Sequence, residues 1–505
     1  MRPLIMVRGG MPPLSLLVFV VGTGSLGAEI AAVRLLSPYF GASTVVWANT
    51  IGIVLVALSI GYWVGGRLGD RHPHMRGLCL LSLIAASLLA LVPFVADPLL
   101  DVGVRALDRI SAGAFLGSLL AVLVLVAIPV LLLGAVTPWA LRLAVRDLGE
   151  AGRVAGRLYA LSTAGSLAGT LIAALVLIPL VGTRRTFLVF AFAIALVAVL
   201  GLRPLRRYAV APAAILVLMA LPVGTLKAEG NGRLIFETET EYQYARVLER
   251  ADGSRALELN EGQAQHSIYR PETVLTNDVW DGHLVLPFAA RDRTPARVAI
   301  LGNAAGTTAR AYEEFFPATR VDGVEIDAEL SEIGRRFFDM NNPNLRLHHE
   351  DARPYLRRTR TRYDVISVDA YRQPYIPFYL TTAEFFRLVR ERLTPGGVLV
   401  VNAGHPVGQT ELERTLTASI ATAFANVRRD PTEPTNTLLV ASAAPVTRER
   451  LARNLPALPR GLRPLAGETA ARLAPSLGGG TAYTDDRAPV EWLIDRSIVA
   501  YASQD

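Results

Sequence analysis

Long apolar segments dominate the first 225 residues of the chain, and ordinary globular patterning follows them. Runs of about 20 apolar residues are long enough to cross the hydrocarbon core of a bilayer as helices. We predict such helices at 14–36, 43–64, 77–96, 114–138, 158–181, 186–202 and 208–225. The last two are short, and the last contains Pro212 and Pro222. The pattern therefore predicts an α-helical membrane bundle over residues 1–228, with six or seven spans.

Arginines between these segments predict how the bundle is oriented. Because cytoplasmic loops carry an excess of basic residues, the loops after the second, fourth and sixth segments are expected in the cytoplasm, together with the N-terminus. The arginines concerned are Arg67, Arg71, Arg76, Arg142, Arg146, Arg153, Arg157, Arg203, Arg206 and Arg207. Arg184 and Arg185 oppose this orientation. Seven spans would put the C-terminal half outside the cell, and six would leave it in the cytoplasm.

Composition agrees with this division. The chain has 505 residues, of which 51% are hydrophobic, and a formal net charge of +7. Much of the positive charge is arginine beside apolar segments, so membrane topology explains it and nucleic-acid binding is not expected. The single Cys79 excludes an internal disulfide. The first apolar run lacks a small-residue cleavage site and is interpreted as an anchor rather than a removable signal peptide.

The loop after the second segment reads Gly66-Arg67-Leu68-Gly69-Asp70-Arg71. It resembles the cytoplasmic loop motif between the second and third helices of major facilitator transporters. A basic stop-transfer loop with a helix-ending glycine is the alternative, and both interpretations stay open. The resemblance implies a transporter-like membrane domain.

Short apolar strands alternate with helical stretches in the second half of the chain. Strands are predicted at 297–302, 320–326, 345–348, 363–368 and 397–401. Such alternation predicts an α/β, Rossmann-like domain with a parallel, doubly wound sheet and its ligand at the carboxyl ends of the strands.

Polar residues and glycines follow these strands where a nucleotide would bind. Gly302 and Gly306 form a turn, and Glu325 follows by about the 20 residues expected for a carboxylate that holds a ribose diol. Asp351 is placed to take an adenine amino group, and Asp369 ends the fourth strand. Alternatively, the glycines form only a turn, Glu325 is a helix N-terminal acid, and Asp369 caps the next helix.

Several segments, taken in order, resemble the spermidine synthase (polyamine aminopropyltransferase) family. They are Gly302…Gly306, Val324-Glu325-Ile326-Asp327, Glu350-Asp351-Ala352, Tyr363-Asp364-Val365-Ile366 and Leu393-Thr394-Pro395-Gly396-Gly397. Two segments are similar to its small N-terminal β domain, and a third to its closing motif: Glu241-Tyr242-Gln243, Glu261-Gly262-Gln263-Ala264-Gln265 and Thr484-Asp485-Asp486-Arg487-Ala488-Pro489-Val490-Glu491. The resemblance covers roughly residues 235–495. It implies a small β domain at 229–290 and a Rossmann-like, class I S-adenosylmethionine-binding domain at 291–505.

The resemblance also implies roles for individual residues. Asp369 would activate the attacking amine. The donor, decarboxylated S-adenosylmethionine or S-adenosylmethionine itself, would be bound by Gln243, Gly302, Gly306, Glu325, Asp351 and Ala352. Gln265, Tyr371 and Tyr375 are candidates for substrate binding, although the tyrosines are equally explained as a packed loop.

Three departures from the family pattern concern the substrates. Ala305 replaces an aspartate near the amine tail of the donor, and Arg372 replaces the acid three residues after the catalytic one. A tyrosine-containing segment before the first strand reads Val279-Trp280-Asp281. These changes weaken the prediction of aminopropyl transfer more than that of a nucleoside site.

The leading hypothesis is a membrane-anchored aminopropyltransferase that acts on an amine such as putrescine. The alternatives are an S-adenosylmethionine-dependent methyltransferase and a polyamine or small-solute transporter with a ligand-sensing domain. The expected location is the cell (inner) membrane, with the lipid bilayer as partner and the C-terminal domain in the cytoplasm, because the cofactor is cytosolic. No metal or nucleic acid is expected; the oligomeric state stays open, with a homo-oligomer among the alternatives.

Overall fold

The computed structural model describes residues 14–40, 44–108, 113–221, 232–260, 265–371 and 375–502. The chain divides into two compact units, Met1–Ala228 and Glu229–Asp505.

The described part of the first unit is helical. Its α-helices are α1 Leu14–Phe40, α2 Thr44–Arg71, α3 Met75–Asp108, α4 Gly113–Leu125, α5 Ala127–Gly134, α6 Val136–Ala144, α7 Ala151–Ile172, α8 Ile178–Val181, α9 Thr183–Leu200, α10 Leu205–Tyr208 and α11 Val210–Ala220. A π-helical turn, Ala173–Leu177, joins α7 to α8. Fully buried apolar side chains such as Leu17, Leu89 and Phe187 form one core.

Among the described residues, 6 helical segments are long and apolar enough to cross a membrane, judged by length and composition alone. They are Leu14–Leu36, Val46–Arg71, Met75–Ala96, Ala127–Ala144, Leu148–Val181 and Thr183–Leu200. The seventh segment predicted from the sequence, 208–225, is not among them. Its described part contains α11, which has 11 residues and spans about 16 Å at 1.5 Å per residue. Residues 222–225 lie outside the described ranges.

The helical segment predicted at 114–138 is helical but interrupted twice, since this region is divided into α4, α5 and the start of α6. Proline explains both interruptions. Pro129 and Pro138 have no N–H to donate to the carbonyls four residues earlier, which belong to the last residues of α4 and α5.

Glycines let helices of the first unit approach closely. A Cβ atom at Gly165 of α7 would lie 2.2 Å from the carbonyl oxygen of Phe19 in α1. One at Gly169 would lie 2.0 Å from that of Thr23. Only residues without a Cβ permit this contact between backbones.

The second unit contains two sheets. The strands are β1 Arg233–Glu239, β2 Tyr244–Glu249, β3 Arg255–Leu259, β4 Gln265–Tyr269, β5 Arg297–Leu301, β6 Arg320–Val324, β7 Leu345–His348, β8 Tyr363–Val368, β9 Leu393–Gly404, β10 Asn426–Glu433, β11 Asn436–Ser442 and β12 Ala474–Pro475. The helices are α12 Val279–Val285, α13 Thr307–Phe315, α14 Ala328–Phe337, α15 Ala352–Arg358, α16 Ala383–Arg392, α17 Glu411–Ala421, α18 Arg448–Asn454, α19 Arg463–Arg472 and α20 Val490–Ala502.

Strands β1 to β4 form a small antiparallel sheet in chain order, and the other strands form an 8-stranded sheet in the order β12-β10-β11-β9-β8-β5-β6-β7. The prediction of a parallel sheet holds for β5 to β9, which pair in parallel. It is wrong for the edge formed by β10, β11 and β12, which pair antiparallel. A short hairpin explains the difference, because only two residues separate β10 from β11 and so tight a turn reverses the chain.

The central strands place the candidate site. On one face of the large sheet, Leu301 and Val368 pack with α16, and on the other Val298 and Ile300 pack with α12 and α13. Helix α13, which follows β5, and helix α16, which follows β8, thus cover opposite faces of the large sheet. The neighbouring ends of these two strands form a topological switch point, where open α/β sheets bind their ligands.

Candidate active site

The turn after β5 brings the chain against the end of β8. Gly302 has a φ of +88°, and a Cβ there would lie 2.4 Å from the carbonyl oxygen of Asp369. Gly306, with a φ of +87°, begins α13, and a Cβ there would lie 2.4 Å from the sulfur of Met340. Both glycines therefore adopt a positive φ that other residues rarely adopt, at positions where a Cβ would not fit. The turn can thus stay close to the backbone after β8.

Glu325 follows β6 and lies beside this turn. Its carboxylate accepts hydrogen bonds from the backbone N–H of Ala304, at 2.9 Å, and of Asp327, at 3.0 Å. The side chain is 6% exposed. Burial raises the pKa of Glu325 to about 7, and the two backbone donors oppose that rise. A buried carboxylate next to a glycine turn can accept hydrogen bonds from a ligand's hydroxyl groups.

Gln243 reaches the same region from the small sheet. Its Nε2 lies 3.4 Å from Oδ2 of Asp327, which also accepts a 2.6 Å hydrogen bond from the hydroxyl of Thr240. Gln243 thus contacts a residue two positions after Glu325, and its role in donor binding stays a prediction.

Asp351 caps the helix that begins with Ala352. One of its oxygens accepts from the backbone N–H of Arg353 at 2.9 Å, and the other accepts from the hydroxyl of Tyr379. A carboxylate has about four lone-pair sites, so these bonds leave capacity for a ligand. Binding of an adenine amino group by Asp351 stays a prediction, as does the role of the buried Ala352.

Asp369 directly follows β8 and receives a neutral donor on each oxygen. The indole Nε1 of Trp280 donates to Oδ2 at 3.0 Å, and Nδ2 of Asn402 donates to Oδ1 at 2.9 Å. Asn402 is held in turn, because Nδ2 of Asn436 donates to its Oδ1 at 2.9 Å. Burial raises the pKa of Asp369 above its usual value, and both donors oppose the rise. The result is an oriented carboxylate with an increased proton affinity.

Sequence reasoning missed Trp280 and Asn402. The segment containing Trp280 was recognised only as a departure from the family pattern. Its contact with Asp369 joins residues 89 positions apart, and the contact of Asn402 joins residues 33 apart. The position of Asn402 in the last part of β9, beside β8, is the one signal that could have indicated it.

Two further acids were also missed: Asp278, whose charge acts on Asp369, and Glu433, which interacts with Asp278. Asp278 caps α12 by accepting from the N–H of Val279 at 2.7 Å, and its charge contributes to the raised pKa of Asp369. Glu433 ends β10, and burial together with Asp278 raises its pKa to about 8. The charge of Asp278 makes the surroundings of Asp369 favourable to a cation.

The candidate substrate residues have different positions. The hydroxyl of Tyr371 donates to the carbonyl of Asn402 at 2.9 Å and accepts from the N–H of Gly404, so it is used within the protein. Tyr375 is 3% exposed and belongs to a hydrophobic core. Gln265 is half-buried at the start of β4. Arg372 and residues 261–264 lie outside the described ranges. Substrate binding by these residues stays a prediction.

The closing motif acts as an anchor. Asp485 accepts from the guanidinium of Arg353 at 2.8 Å and from the hydroxyl of Thr382 at 2.8 Å. Arg353 holds the pKa of Asp485 below its usual value. The motif thereby ties the C-terminal segment to the beginning of α15, next to Asp351.

His348, at the end of β7, has structural contacts. The Nε2 of His348 lies 2.8 Å from Oδ1 of Asp322, and its ring packs on Tyr355. In the described ranges, no group of three or more His, Cys, Asp or Glu side chains is arranged to hold a metal ion.

Comparison with known proteins supports the resemblance to the spermidine synthase family. The sequence model of the spermine/spermidine synthase domain matches residues 282–438. This range contains the glycine turn, Glu325, Asp351, Asp369 and Asn402, but not Gln243 or Trp280.

Two curated relatives are similar over part of the chain. A probable polyamine aminopropyl transferase of Bifidobacterium longum (strain NCC 2705) is 34% identical over 194 residues, which cover 38% of this chain and 43% of the relative. A polyamine aminopropyltransferase of Vibrio vulnificus (strain CMCP6) is 32% identical over 184 residues, which cover 34% of this chain and 60% of the relative. The chain thus spans about half the length of these relatives.

One solved structure, a probable spermidine synthase from Corynebacterium glutamicum ATCC 13032, aligns with 50% of this chain and 98% of its own. The TM-score is 0.38 and the identity 22%.

The raised pKa of Glu325 predicts that this residue destabilises the fold at high pH. A carboxyl whose pKa is about 7 when folded and 4.5 when unfolded contributes stability below pH 4.5, and that contribution is lost as the pH rises through 7. Glu325→Gln should therefore unfold at a higher temperature than the wild type at pH 8.5, with a free energy of unfolding that is larger by up to about 3 kcal/mol.

Thermal unfolding of the full chain in detergent at pH 5 and pH 8.5 measures the difference. Glu391→Gln, which changes an exposed glutamate of α16, is the matched control and should leave the unfolding temperature unchanged. An equal effect of Glu325→Gln at both pH values would contradict the prediction.

Proposed function

We propose that this chain is a membrane-anchored polyamine aminopropyltransferase that transfers an aminopropyl group from decarboxylated S-adenosylmethionine to an amine such as putrescine. The observation that carries the proposal is the oriented, buried carboxylate of Asp369 beside the glycine turn and Glu325. Its match to the spermine/spermidine synthase domain supports the same activity.

The residues around the turn fit the nucleoside part of such a donor. The donor would bring a sulfonium whose propyl carbon is open to attack by an amine. Glu325 would accept hydrogen bonds from the ribose hydroxyls, and Gln243 and Asp351 would bind other polar atoms of the nucleoside. Because Gly302 has no Cβ, the turn can pass close to the backbone of Asp369 beside the proposed ligand site.

Asp369 would serve as the general base. The nitrogen of the acceptor forms a bond to the propyl carbon, the bond from that carbon to sulfur breaks, and methylthioadenosine leaves with the electron pair. The proton lost from the nitrogen passes to Asp369. Because burial raises its pKa, this carboxylate takes the proton more readily than an exposed one.

Trp280 and Asn402 would fix the direction of that base. With one donor on each oxygen, the carboxylate has little freedom to rotate. The negative charge of Asp278 would favour a cationic acceptor in the same place.

The first unit would anchor the enzyme in the cell membrane. Its 6 long apolar helices and the arginines of the loops support a bundle with both termini in the cytoplasm, where the donor is found. A transporter-like character of this unit remains part of the proposal. In the structure, Asp70 of the loop motif accepts a 3.0 Å hydrogen bond from Arg142.

A second candidate function is S-adenosylmethionine-dependent methyl transfer. One observation favours it: Ala305, at the position where the family has an aspartate, is fully buried against the small sheet. A pocket without that acid does not repel a donor that retains its carboxylate.

The proposed chemistry predicts that Asp369→Asn abolishes turnover. An amide cannot accept the proton, so the rate should fall by about 10²- to 10⁴-fold. The measurement is mass spectrometry of purified full chain incubated with putrescine and either form of the donor, following methylthioadenosine and spermidine.

Asp486→Asn, beside the anchoring Asp485, is the control and should retain the rate. S-adenosylhomocysteine as the product would replace the proposal by methyl transfer. Absence of turnover from either donor would leave the ligand-sensing alternative.

Trp280→Phe should shift the pH dependence of kcat/KM. Loss of the indole donor removes a hydrogen bond that favours the ionised form of Asp369, so the pKa of this carboxyl rises. The acidic limb of the profile should move up by about 0.4 to 1 pH unit. Trp492→Phe, at a tryptophan that is 69% exposed, is the control. A reduced rate with an unmoved limb would mean that Trp280 does not act through Asp369.

The proposed topology predicts a cytoplasmic C-terminus. A green fluorescent protein fused after residue 505 should fluoresce, and alkaline phosphatase at the same place should be inactive, because it needs an oxidising compartment to form its disulfides. Phosphatase fused after residue 42, between the first two spans predicted from the sequence, is the control for the opposite side. Active phosphatase at the C-terminus would contradict both the location and the use of a cytosolic donor.

A further inference from the structure

Asn260, the residue after β3, is buried without hydrogen-bond partners for its side chain. It is 1% exposed, and neither its Oδ1 nor its Nδ2 has a partner in the part of the chain that the structure describes. Leaving both groups unsatisfied costs about 1–3 kcal/mol each. Its φ of +49° is also unusual for a residue with a side chain. A ligand that forms hydrogen bonds with the amide would offset this cost.

The neighbours of Asn260 belong to the proposed donor site. Its backbone N–H donates to the carbonyl of Tyr244 at 2.9 Å, and Tyr244 directly follows Gln243. The preceding residue, Leu259, packs in one hydrophobic cluster with Ala305 of the glycine turn. Asn260 therefore lies where the small sheet meets the turn.

Ala305 limits which groups of a ligand can be bound where the small sheet meets the glycine turn. It is fully buried, and its backbone N–H donates to the hydroxyl of Ser267 in β4 at 3.0 Å. An alanine provides neither charge nor a polar atom, so recognition of a ligand's polar tail here must come from other residues. The amide of Asn260 offers one acceptor and one pair of donors, and it has no charge.

We infer that Asn260 binds the tail of the donor and lets the site accept S-adenosylmethionine with its carboxylate as well as the decarboxylated form. This inference rests on the proposed function for the nucleoside site. Oδ1 accepts from the ammonium group that both donors carry, and Nδ2 donates to the carboxylate that only S-adenosylmethionine carries. An acid at this position would attract the ammonium but repel the carboxylate.

Equilibrium binding of the two donors to the purified full chain tests the inference. Asn260→Asp keeps the size of the side chain and adds a negative charge. It should weaken S-adenosylmethionine binding at least tenfold relative to binding of the decarboxylated donor, which corresponds to about 1.4 kcal/mol. Asn260→Ala should weaken both donors. A ratio of the two dissociation constants that stays within twofold of the wild-type ratio in Asn260→Asp would overturn the inference.

Two controls separate the possible causes of failure. Methylthioadenosine lacks the tail, so its affinity should be equal in the wild type and Asn260→Asp if the nucleoside site is intact. Asn426→Asp makes the same chemical change at the start of β10, where the amide donates to the carbonyl of Ala443, and should preserve the wild-type ratio. A wild type that binds neither donor nor methylthioadenosine would overturn the proposed function and this inference together. Binding with an unchanged ratio would overturn the inference alone.

Discussion

The contact between Gly302 and the backbone of Asp369 determines the geometry of the whole candidate site. Two parallel strands end side by side, and the turn after one passes within a distance that no Cβ would allow. Strand β5 in turn lies between β8 and β6, so the same turn adjoins Glu325 on its other side. Glu325, proposed to bind the nucleoside, and Asp369, proposed as the general base, are thereby held on either side of one loop.

The carboxyl groups of Glu325 and Asp369 are both buried, away from the water that would stabilise their negative charge. Burial raises the pKa of Glu325 and of Asp369, and hydrogen bonds from N–H groups offset part of that effect. The donors differ in kind. Backbone groups serve Glu325, so its environment follows from the fold itself. Side chains serve Asp369, so the proton affinity of this carboxylate depends on Trp280 and Asn402.

The sequence predicted those parts of the unit that depend on local pattern. The five parallel strands, Gly302, Gly306 and the acids at strand ends all follow from apolar runs that end in glycine or a carboxylate. The contacts of Trp280 and Asn402 could not be predicted, because they depend on packing between residues far apart in the chain. The antiparallel edge was missed because the signal of its hairpin, Pro434-Thr435, is short. The break at Pro129 and Pro138 was readable in principle, but hydropathy alone hid it.

Trp280 has a consequence for how protons travel through the site. An indole nitrogen donates and never accepts, and Asn402 is kept in its donating orientation by Asn436. Neither neighbour can therefore carry a proton away from Asp369 into the protein interior. A proton that Asp369 gains from the acceptor amine must therefore leave on the side of the carboxylate that faces the acceptor. The base would then be reset only once that side is open to water, which couples its recovery to the departure of product.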